Sequence, residues 1–204
     1  MNKLNLSKRE RTGQIFESRF LEFFTRTSPR LTLVYYGTLY LLLLALHFMY
    51  AGGSILVGTA VYLGALFFWT LFEYLMHRYI FHFINEQEWS KKMHYAIHGV
   101  HHTYPRDEER LFMPPLPGTV VIALVFGIFY LMMGTHAFLF MAGFLNGWGF
   151  YVFIHFFVHT YQPVKPFKFL WTHHARHHYQ DSNTAYGVSS PLWDYVFGTM
   201  PKAS

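Results

Sequence analysis

The chain has 204 residues, of which 52% are hydrophobic, 21% aromatic and only 13% charged. This length suits one domain, and the hydrophobic fraction is too high for a disordered chain. The absence of cysteine excludes disulfide scaffolds, Cys-ligated zinc, thiolate-held iron–sulfur clusters and Cys nucleophiles. The net charge of +5 is too mild to indicate nucleic acid binding, whereas 14 histidines are far more than usual.

Two long segments carry no charge at all. Asp, Glu, Lys and Arg are absent from Leu31 to Phe72 and again from Leu111 to Val164. Because one membrane span needs about 20 apolar residues, each segment has room for two spans and a tight turn. The sequence therefore predicts an all-α, polytopic membrane protein with two helical hairpins and a His-rich helical cap. The four predicted transmembrane helices are residues 31–51, 54–76, 117–133 and 136–158.

The basic residues predict the orientation of these spans. They flank the hairpins, while the turns at residues 51–54 and 134–136 carry no charge. By the positive-inside rule, the N terminus, the central segment, the C terminus and the histidines face the cytoplasm. This pattern is equally compatible with a bacterial inner membrane and with the endoplasmic reticulum. The flanking residues are Lys3, Lys8, Arg9, Arg11, Arg26, Arg30, Lys91, Lys92, Arg106, Arg110, Lys165, Lys168, Arg176 and Lys202.

The predicted domain organisation has two parts. Residues 1–30 form an N-terminal cytoplasmic segment, in which aromatic and charged residues alternate at helical spacing over 15–24. That spacing favours an amphipathic helix in the membrane interface, and a helix packed against the cytoplasmic cap is the alternative. Residues 31–204 form a single integral-membrane domain, with a cap built from 77–116 and 159–204.

Ten of the fourteen histidines fall into four short groups, each at the cytoplasmic end of a predicted span or just beyond it. Four groups on one side of a membrane can meet at one point. We therefore treat all ten as candidate metal ligands. The motifs are HRYIFH, HGVHH, HFFVH and HARHH, which contain His77, His82, His98, His101, His102, His155, His159, His174, His177 and His178.

The spacing within the groups supports metal binding. Histidines at i, i+3 and i+4 lie on one helical face, which is the geometry expected of metal ligands. His77 and His82 are five residues apart, so they either bind two different metals or span a local break in the helix. Because an octahedral ion takes six ligands, ten imidazoles indicate two ions. Imidazole binds iron, copper, zinc and nickel, and spacing alone does not select among them.

Further polar residues lie close to these groups in the sequence. A ligating imidazole needs an acceptor at its other ring nitrogen, so nearby acidic and amide side chains are candidates for that role. His94 and His173 are possible additional ligands, while His47 and His136 lie toward the opposite side and are predicted interface anchors. The candidate acceptors are Glu73, Asp107, Asp181, Asp194 and Asn146.

Five segments together resemble the membrane fatty acid hydroxylase superfamily, most closely the fatty acid 2-hydroxylases. They are EYLMHRYIFH, HGVHHTYPRDEERLFMPP, HFFVH, HHARHH and GVSSPLWDYVFGT, and they extend over most of the chain from about residue 60. The resemblance implies a four-span enzyme in which the ten histidines hold two iron ions that use dioxygen. No catalytic side chain beyond the metal centre is implied. Zinc can replace the iron in purified protein of this kind.

The resemblance also implies the substrate and the partners. The implied reaction hydroxylates the acyl chain of a fatty acid or sphingolipid at the carbon next to the carbonyl. Eukaryotic relatives often carry a haem-containing electron-donor domain, whose His-Pro-Gly-Gly motif is absent here, so a separate redox protein is expected to donate the electrons. The candidate anchors for the lipid head group are Tyr104, Arg110, Asn183 and Tyr186.

Two kinds of alternative remain open at this stage. A related hydroxylase or desaturase could act on a sterol, a carotenoid or another lipid through the same metal site. A membrane metal store or transporter is less favoured, because transport predicts ionisable residues along a path through the spans. The uncharged segments contain no acidic residue and hold their histidines toward the span ends.

Overall fold

Four long helices dominate the computed structural model, which describes residues 13–202. Each is long and apolar enough to cross a membrane, so the predicted all-α fold with four spans is confirmed. The helix ends differ from the predicted ones by no more than two residues. Lys3, Lys8, Arg9 and Arg11, which contribute to the orientation prediction, lie outside the described residues. The long helices are α2 (Pro29–Tyr50), α3 (Ile55–Met76), α6 (Pro115–Met133) and α7 (His136–Thr160).

Local sequence signals explain where these helices begin and turn. The side chain of Ser28 accepts a hydrogen bond from the Leu31 amide, and Ser54 caps α3 in the same way. The turns between the paired helices contain Gly52, with φ of 57°, and Gly134, with φ of 58°. Only glycine adopts this conformation without a steric cost. The two predicted hairpins are therefore present.

Both hairpin turns lie at the same end of the bundle, away from the ten grouped histidines. The rings of His47 and His136 approach to 6.3 Å there, and His136 lies beside Gly53. These two histidines are far from the other ten, as the sequence predicts for them. The side of the membrane that each end faces stays a prediction.

Helix α7 is the centre of the bundle and packs against α2, α3 and α6. Lipid is as apolar as a leucine side chain, so close packing of small residues must hold such helices together. Gly143 provides one contact, because a Cβ there would lie 2.7 Å from the Tyr62 carbonyl oxygen. Gly147 provides the next, because a Cβ there would lie 2.6 Å from Cβ of Trp69. These glycines let α3 and α7 meet directly.

This contact makes a sharp mutational prediction. We expect Gly147→Ala to destabilise the protein by about 1–3 kcal/mol, because the new methyl group overpacks the α3 interface. Gly149→Ala is the matched control on the same helix, since nothing lies within 4 Å of a Cβ there. Thermal unfolding of the detergent-purified variants measures the effect. Equal melting temperatures would contradict the close packing of α3 on α7.

Short elements build the cap at the histidine end. They are α4 (Glu88–His94), α5 (Val100–Thr103), α8 (Lys168–Tyr179) and α9 (Leu192–Val196). A π-helical turn, His77–Phe81, extends α3, and a second one, Tyr95–Gly99, joins α4 to α5. Helix α9 packs on α3, where Trp193 donates a hydrogen bond to Thr70 over 2.9 Å. The cap is therefore tied directly to the spans.

The N-terminal segment forms only a short helix, α1 (Arg19–Phe23). The Glu22 carboxylate explains why it is short, because it accepts hydrogen bonds from the amides of Ile15 and Phe16 and folds the preceding residues back. One side of the segment contacts the cap through Glu22, while Phe20 and Phe23 are exposed. Its position in the membrane interface stays a prediction.

Candidate metal centre

The ten grouped histidines converge into two adjacent clusters of five. Within each cluster, one ring nitrogen of every histidine lies within 4.8 Å of the others. Their role as ligands remains a proposal, but the structure brings all ten together as a metal centre requires. Cluster 1 contains His77, His82, His98, His102 and His177, and cluster 2 contains His101, His155, His159, His174 and His178.

Helical spacing presents most of these side chains. His155 and His159 are one turn apart on α7, and α8 contributes to both clusters. The five-residue interval between His77 and His82 is a local break in the helix, since the His82 amide donates to the His77 carbonyl in a π-helical turn. Both side chains consequently enter cluster 1. π-Helical turns of this kind are frequent at functional sites.

The nitrogen separations fit ions bound between the rings. Nε2 of His77 lies 3.0 Å from Nε2 of His98, and the same atoms of His101 and His155 are also 3.0 Å apart. Two nitrogens bound to one ion at about 2.1 Å and about 90–110° apart would be about 3.0–3.4 Å from each other. The spacing in both clusters is therefore that of neighbouring ligands.

Hydrogen bonds at the outer ring nitrogens also indicate that the inner nitrogens can bind ions. His77 Nδ1 donates to the Tyr186 carbonyl, and His177 Nδ1 donates to the Thr184 carbonyl over 2.7 Å. A neutral imidazole carries one N–H, so both Nε2 atoms then present lone pairs to the cluster. Lone pairs facing each other inside a protein repel unless a cation lies between them. This donor set fits metal ions.

Burial keeps the imidazoles neutral. Desolvation, followed by repulsion from neighbouring histidines, lowers the pKa of His82 to about 2 and that of His102 to about 3. Neutral imidazole is the form that binds metal. Both ring nitrogens of His178 are buried and have no hydrogen-bond partner among the described residues. Because unpaired buried polar atoms are costly, a bound ion would remove this penalty.

Two buried carboxylates position the segment that supplies the outer carbonyls. Glu73 accepts hydrogen bonds from the amides of Val188 and Ser189, at 2.7 and 2.9 Å. Asp194 accepts from the amides of Tyr186 and Gly187, at 2.8 and 2.7 Å. Both carboxylates therefore hold residues 186–189 against α3, and the Tyr186 carbonyl meets His77.

Asp194 is also bound by His173, whose Nε2 donates to it over 3.0 Å. Burial alone would raise the pKa of Asp194, but hydrogen bonds from His173, Thr199 and two backbone amides lower it. The carboxylate is thus ionised at neutral pH. His173 lies outside both clusters and links α8 to the C-terminal segment.

The other candidate acceptors make contacts elsewhere. Asp107 accepts from the Gly13 amide, Asp181 from the Asn183 amide, and Asn146 donates to the Tyr62 hydroxyl inside the bundle. None of these hydrogen bonds reaches a clustered histidine. His94 also lies outside the clusters, with Nδ1 on the Phe81 carbonyl at 2.8 Å. Its ring centre is 5.8 Å from that of His82.

An apolar cavity of about 300 Å³ leads from the spans to the clusters. Its walls are mainly apolar side chains. Some belong to α2, α3, α6 and α7, and others, such as Phe24, Ile97 and Leu111, belong to the N-terminal segment and the cap. The cavity contacts His77 and His98 of cluster 1 and His101 and His155 of cluster 2. An apolar molecule in it would therefore reach both clusters.

Of the four candidate head-group anchors, only Arg110 lines this cavity. Its buried guanidinium donates to the Gly13 carbonyl and to Thr25 and pairs with Glu22. It therefore fixes the N-terminal segment onto the cap. Tyr104 packs against Gly13, Asn183 is exposed, and the Tyr186 ring lies among the histidine rings of cluster 1.

The sequence analysis does not identify several contacts at the site. Tyr186 is named there only as a head-group anchor, and the carbonyls of Thr184 and Tyr186 belong to the backbone, so no residue pattern could identify their role. The cavity walls contributed by Tyr36, Trp69 and Trp148 lie in the uncharged segments. The available signal was the density of aromatic residues in those spans, which core packing explains equally well.

We expect each cluster to bind its own ion. The paired substitution His155→Ala and His159→Ala removes two ligands of cluster 2 and should lower the bound metal from about two ions per chain to about one. The matched control makes the same change to alanine at His47 and His136, at the other end of the bundle. It should keep about two bound ions per chain. Elemental analysis of iron-loaded protein measures the content. Unchanged metal in the cluster variant would contradict ligation by α7.

We expect Asp194→Asn to weaken metal binding about 10–100-fold, because an amide cannot accept all the hydrogen bonds that orient the Tyr186 carbonyl and His173. The control is Asp181→Asn, since Asp181 is exposed and, among the described hydrogen bonds, its carboxylate accepts only from the nearby Asn183 amide. Competition with a chromophoric chelator measures the affinity. If both variants retained metal equally, Asp194 would have no role in positioning the ligands.

Three comparisons relate this architecture to known proteins. Residues 62–199 match the family model described as fatty acid hydroxylase. The chain is 34% identical over 196 residues to the dihydroceramide fatty acyl 2-hydroxylase FAH2 of Arabidopsis thaliana, covering 92% of this chain and 80% of the relative. It is also 34% identical to the fatty acid 2-hydroxylase of Rattus norvegicus, covering 72% of this chain and 42% of the rat protein.

A solved structure has the same fold. It is described as full-length scs7p with only the hydroxylase domain visible, and it superimposes with a TM-score of 0.83 at 30% identity. The match covers 90% of this chain and 70% of that structure. The similarity therefore includes the spans and the cap that carries the histidines.

Proposed function

The chain belongs to the fatty acid hydroxylase family, and we propose that it hydroxylates the acyl chain of a fatty acid or sphingolipid at the second carbon. Membership of this family makes it a membrane enzyme of the metal-dependent hydroxylase class. The names of the plant and rat relatives support the second carbon as the position. Two iron ions, dioxygen and an external electron donor are part of the proposal.

One observation carries this proposal, namely an apolar cavity between the spans and the cap that ends on imidazoles of both clusters. A cavity lined mainly by apolar side chains favours an alkyl chain over a polar substrate. Its lining helices would lie in the bilayer, so a lipid can enter from the membrane without crossing water. The histidine end then determines which carbon reacts.

In the proposed reaction, the bound ions and the protein chain have different roles. Bound iron would supply the activation of dioxygen needed to hydroxylate an unactivated C–H bond, with one oxygen atom entering the product and the other leaving as water. Five histidines of each cluster would hold each ion. The chain itself positions the acyl chain beside the clusters and excludes water, and Phe72, Phe144 and Trp148 form part of that apolar wall.

We propose that the metal centre faces the cytoplasm. Lys91, Arg106 and Arg176 all lie in cap segments at the histidine end, while the turns of both hairpins carry no charge. The positive-inside rule supports this orientation. A soluble electron donor in the cytoplasm would then have access to the cap.

Product analysis tests the proposed reaction. Purified, iron-loaded protein incubated with a defined acyl lipid, dioxygen and a chemical reductant should yield a product heavier by one oxygen atom at the second carbon. Mass spectrometry of the fragments locates that atom. A product hydroxylated at another carbon would contradict the assignment and indicate a hydroxylase with a different position of attack. A product with two hydrogens fewer and no added oxygen would contradict it as well and indicate a desaturase.

A pair of adjacent substitutions tests whether the apolar cavity holds the substrate. Val121 lines the cavity, whereas Val120 on the same helix is exposed on the outer surface of the bundle. We expect Val121→Trp to reduce product formation at least about tenfold by filling the cavity, while metal content stays unchanged. Val120→Trp should leave both unchanged. Equal activity of the two variants would place the substrate elsewhere.

A further inference from the structure

A second cavity reaches the metal centre from the other side. It has a volume of about 260 Å³ and contacts three histidines of cluster 2, His159, His174 and His178. Its outer wall includes the exposed residues Thr172 and Tyr179 of α8. The cavity therefore connects cluster 2 with the surface of the cap.

The two cavities contact different histidines and differ in chemical character. No histidine lines both of them. The acyl cavity is lined mainly by apolar side chains of the spans, the cap and the N-terminal segment. The second cavity is built from the last turn of α7, the segment after it and α8, with Arg106 on its wall. Substrate and a second reactant could thus approach the same centre without competing for one opening.

Positively charged side chains lie in and beside the second cavity. Arg106 lines it, and Lys168 and Arg176 lie one helical turn before and after Thr172 on the same face of α8. Among the described residues, none of these three cations forms an ion pair. The sequence also contains no acidic residue from Leu111 to Gln180. Helix α8 therefore carries positive charge and no acidic residue of its own, although acidic residues follow both Arg106 and α8 in the sequence.

The proposed reaction needs an electron donor that can reach the metal centre. Conversion of a C–H bond and O₂ into C–OH and H₂O consumes two electrons and two protons, which the lipid does not supply. A one-electron carrier protein must deliver the two electrons in two encounters, becoming oxidised each time, while the protons come from water. Because the proposed substrate would occupy the acyl cavity, the second cavity offers an approach to cluster 2 that the substrate leaves open.

We propose that the face formed by Arg106, Lys168 and Arg176 around the second cavity is the docking site of an acidic one-electron carrier protein. The inference deepens the proposed function and rests on it. Complementary charge steers such a carrier to the opening, and short-lived redox complexes bury little area, so a few cations are sufficient. Electrons then arrive at cluster 2, whose histidines line the cavity.

Charge reversal on α8 tests the docking face. The probe is oxidised plant-type ferredoxin, an acidic one-electron carrier, titrated against the full iron-loaded chain in detergent at low salt. We expect the double variant Lys168→Glu and Arg176→Glu to weaken binding about tenfold or more, and added salt to remove the difference. The rate at which reduced ferredoxin is oxidised by the chain should fall in parallel.

The matched control makes the same change in net charge elsewhere on the cap. Lys92 and Lys202 are exposed, form no ion pair among the described residues and do not line the second cavity. The double variant Lys92→Glu and Lys202→Glu should bind ferredoxin nearly as well as the unmodified chain. Equal weakening by both pairs would show only general charge attraction and would overturn the proposal, as would no weakening by the α8 pair.

Two further measurements keep the result interpretable. The milder variant Lys168→Gln and Arg176→Gln should weaken binding less than charge reversal, and metal content should stay unchanged in all variants. Product formation driven by photoreduced lumiflavin, a small reductant that needs no docking face, should also be unchanged. If no reductant yields hydroxylated lipid, the proposed function fails. If lumiflavin yields it but the α8 variants bind ferredoxin normally, only the docking site fails.

Discussion

The meeting of ten neutral imidazoles in two buried clusters is the constraint on which the rest of the structure depends. Burial lowers the pKa of His82, His102 and His177 and so keeps these rings neutral. His77 and His177 donate from Nδ1 to the carbonyls of Tyr186 and Thr184, so their Nε2 lone pairs point inward. Such an arrangement is unfavourable without a cation at its centre. Metal binding and formation of the cap are therefore coupled, because four separate segments must come together to make the ligand sets.

The spans hold this arrangement by close packing. Gly143 and Gly147 bring α7 against α3, which places His155 and His159 beside the histidines that follow α3. The C-terminal segment is held at the metal centre by two carboxylates. Glu73 of α3 accepts a hydrogen bond from the Val188 amide, and Asp194, which belongs to the segment itself, accepts one from the Tyr186 amide. Thus the bundle provides a rigid frame, and two buried carboxylates connect the cap to it.

Much of this could be predicted from the sequence, because its strongest signals are local. Uncharged segments longer than a bilayer core fix the spans, and glycines fix the turns. The two HxxHH motifs place their side chains on one helical face. By contrast, the partition into clusters depends on tertiary structure: His101 and His102 are adjacent in the chain yet enter different clusters, while His77 and His82 share one through a π-helical turn. The contacts of Arg110 with the N-terminal segment depend on a distant part of the chain in the same way.

X-ray absorption at the iron edge of the loaded, detergent-purified protein tests the central claim most directly. The structure predicts a shell of nitrogen ligands at about 2.1 Å with the outer-shell scattering of imidazole rings, corresponding to about five histidines per iron. A spectrum dominated by oxygen ligands without imidazole scattering would contradict it. The clusters would then be packed histidines, and the iron would be bound elsewhere.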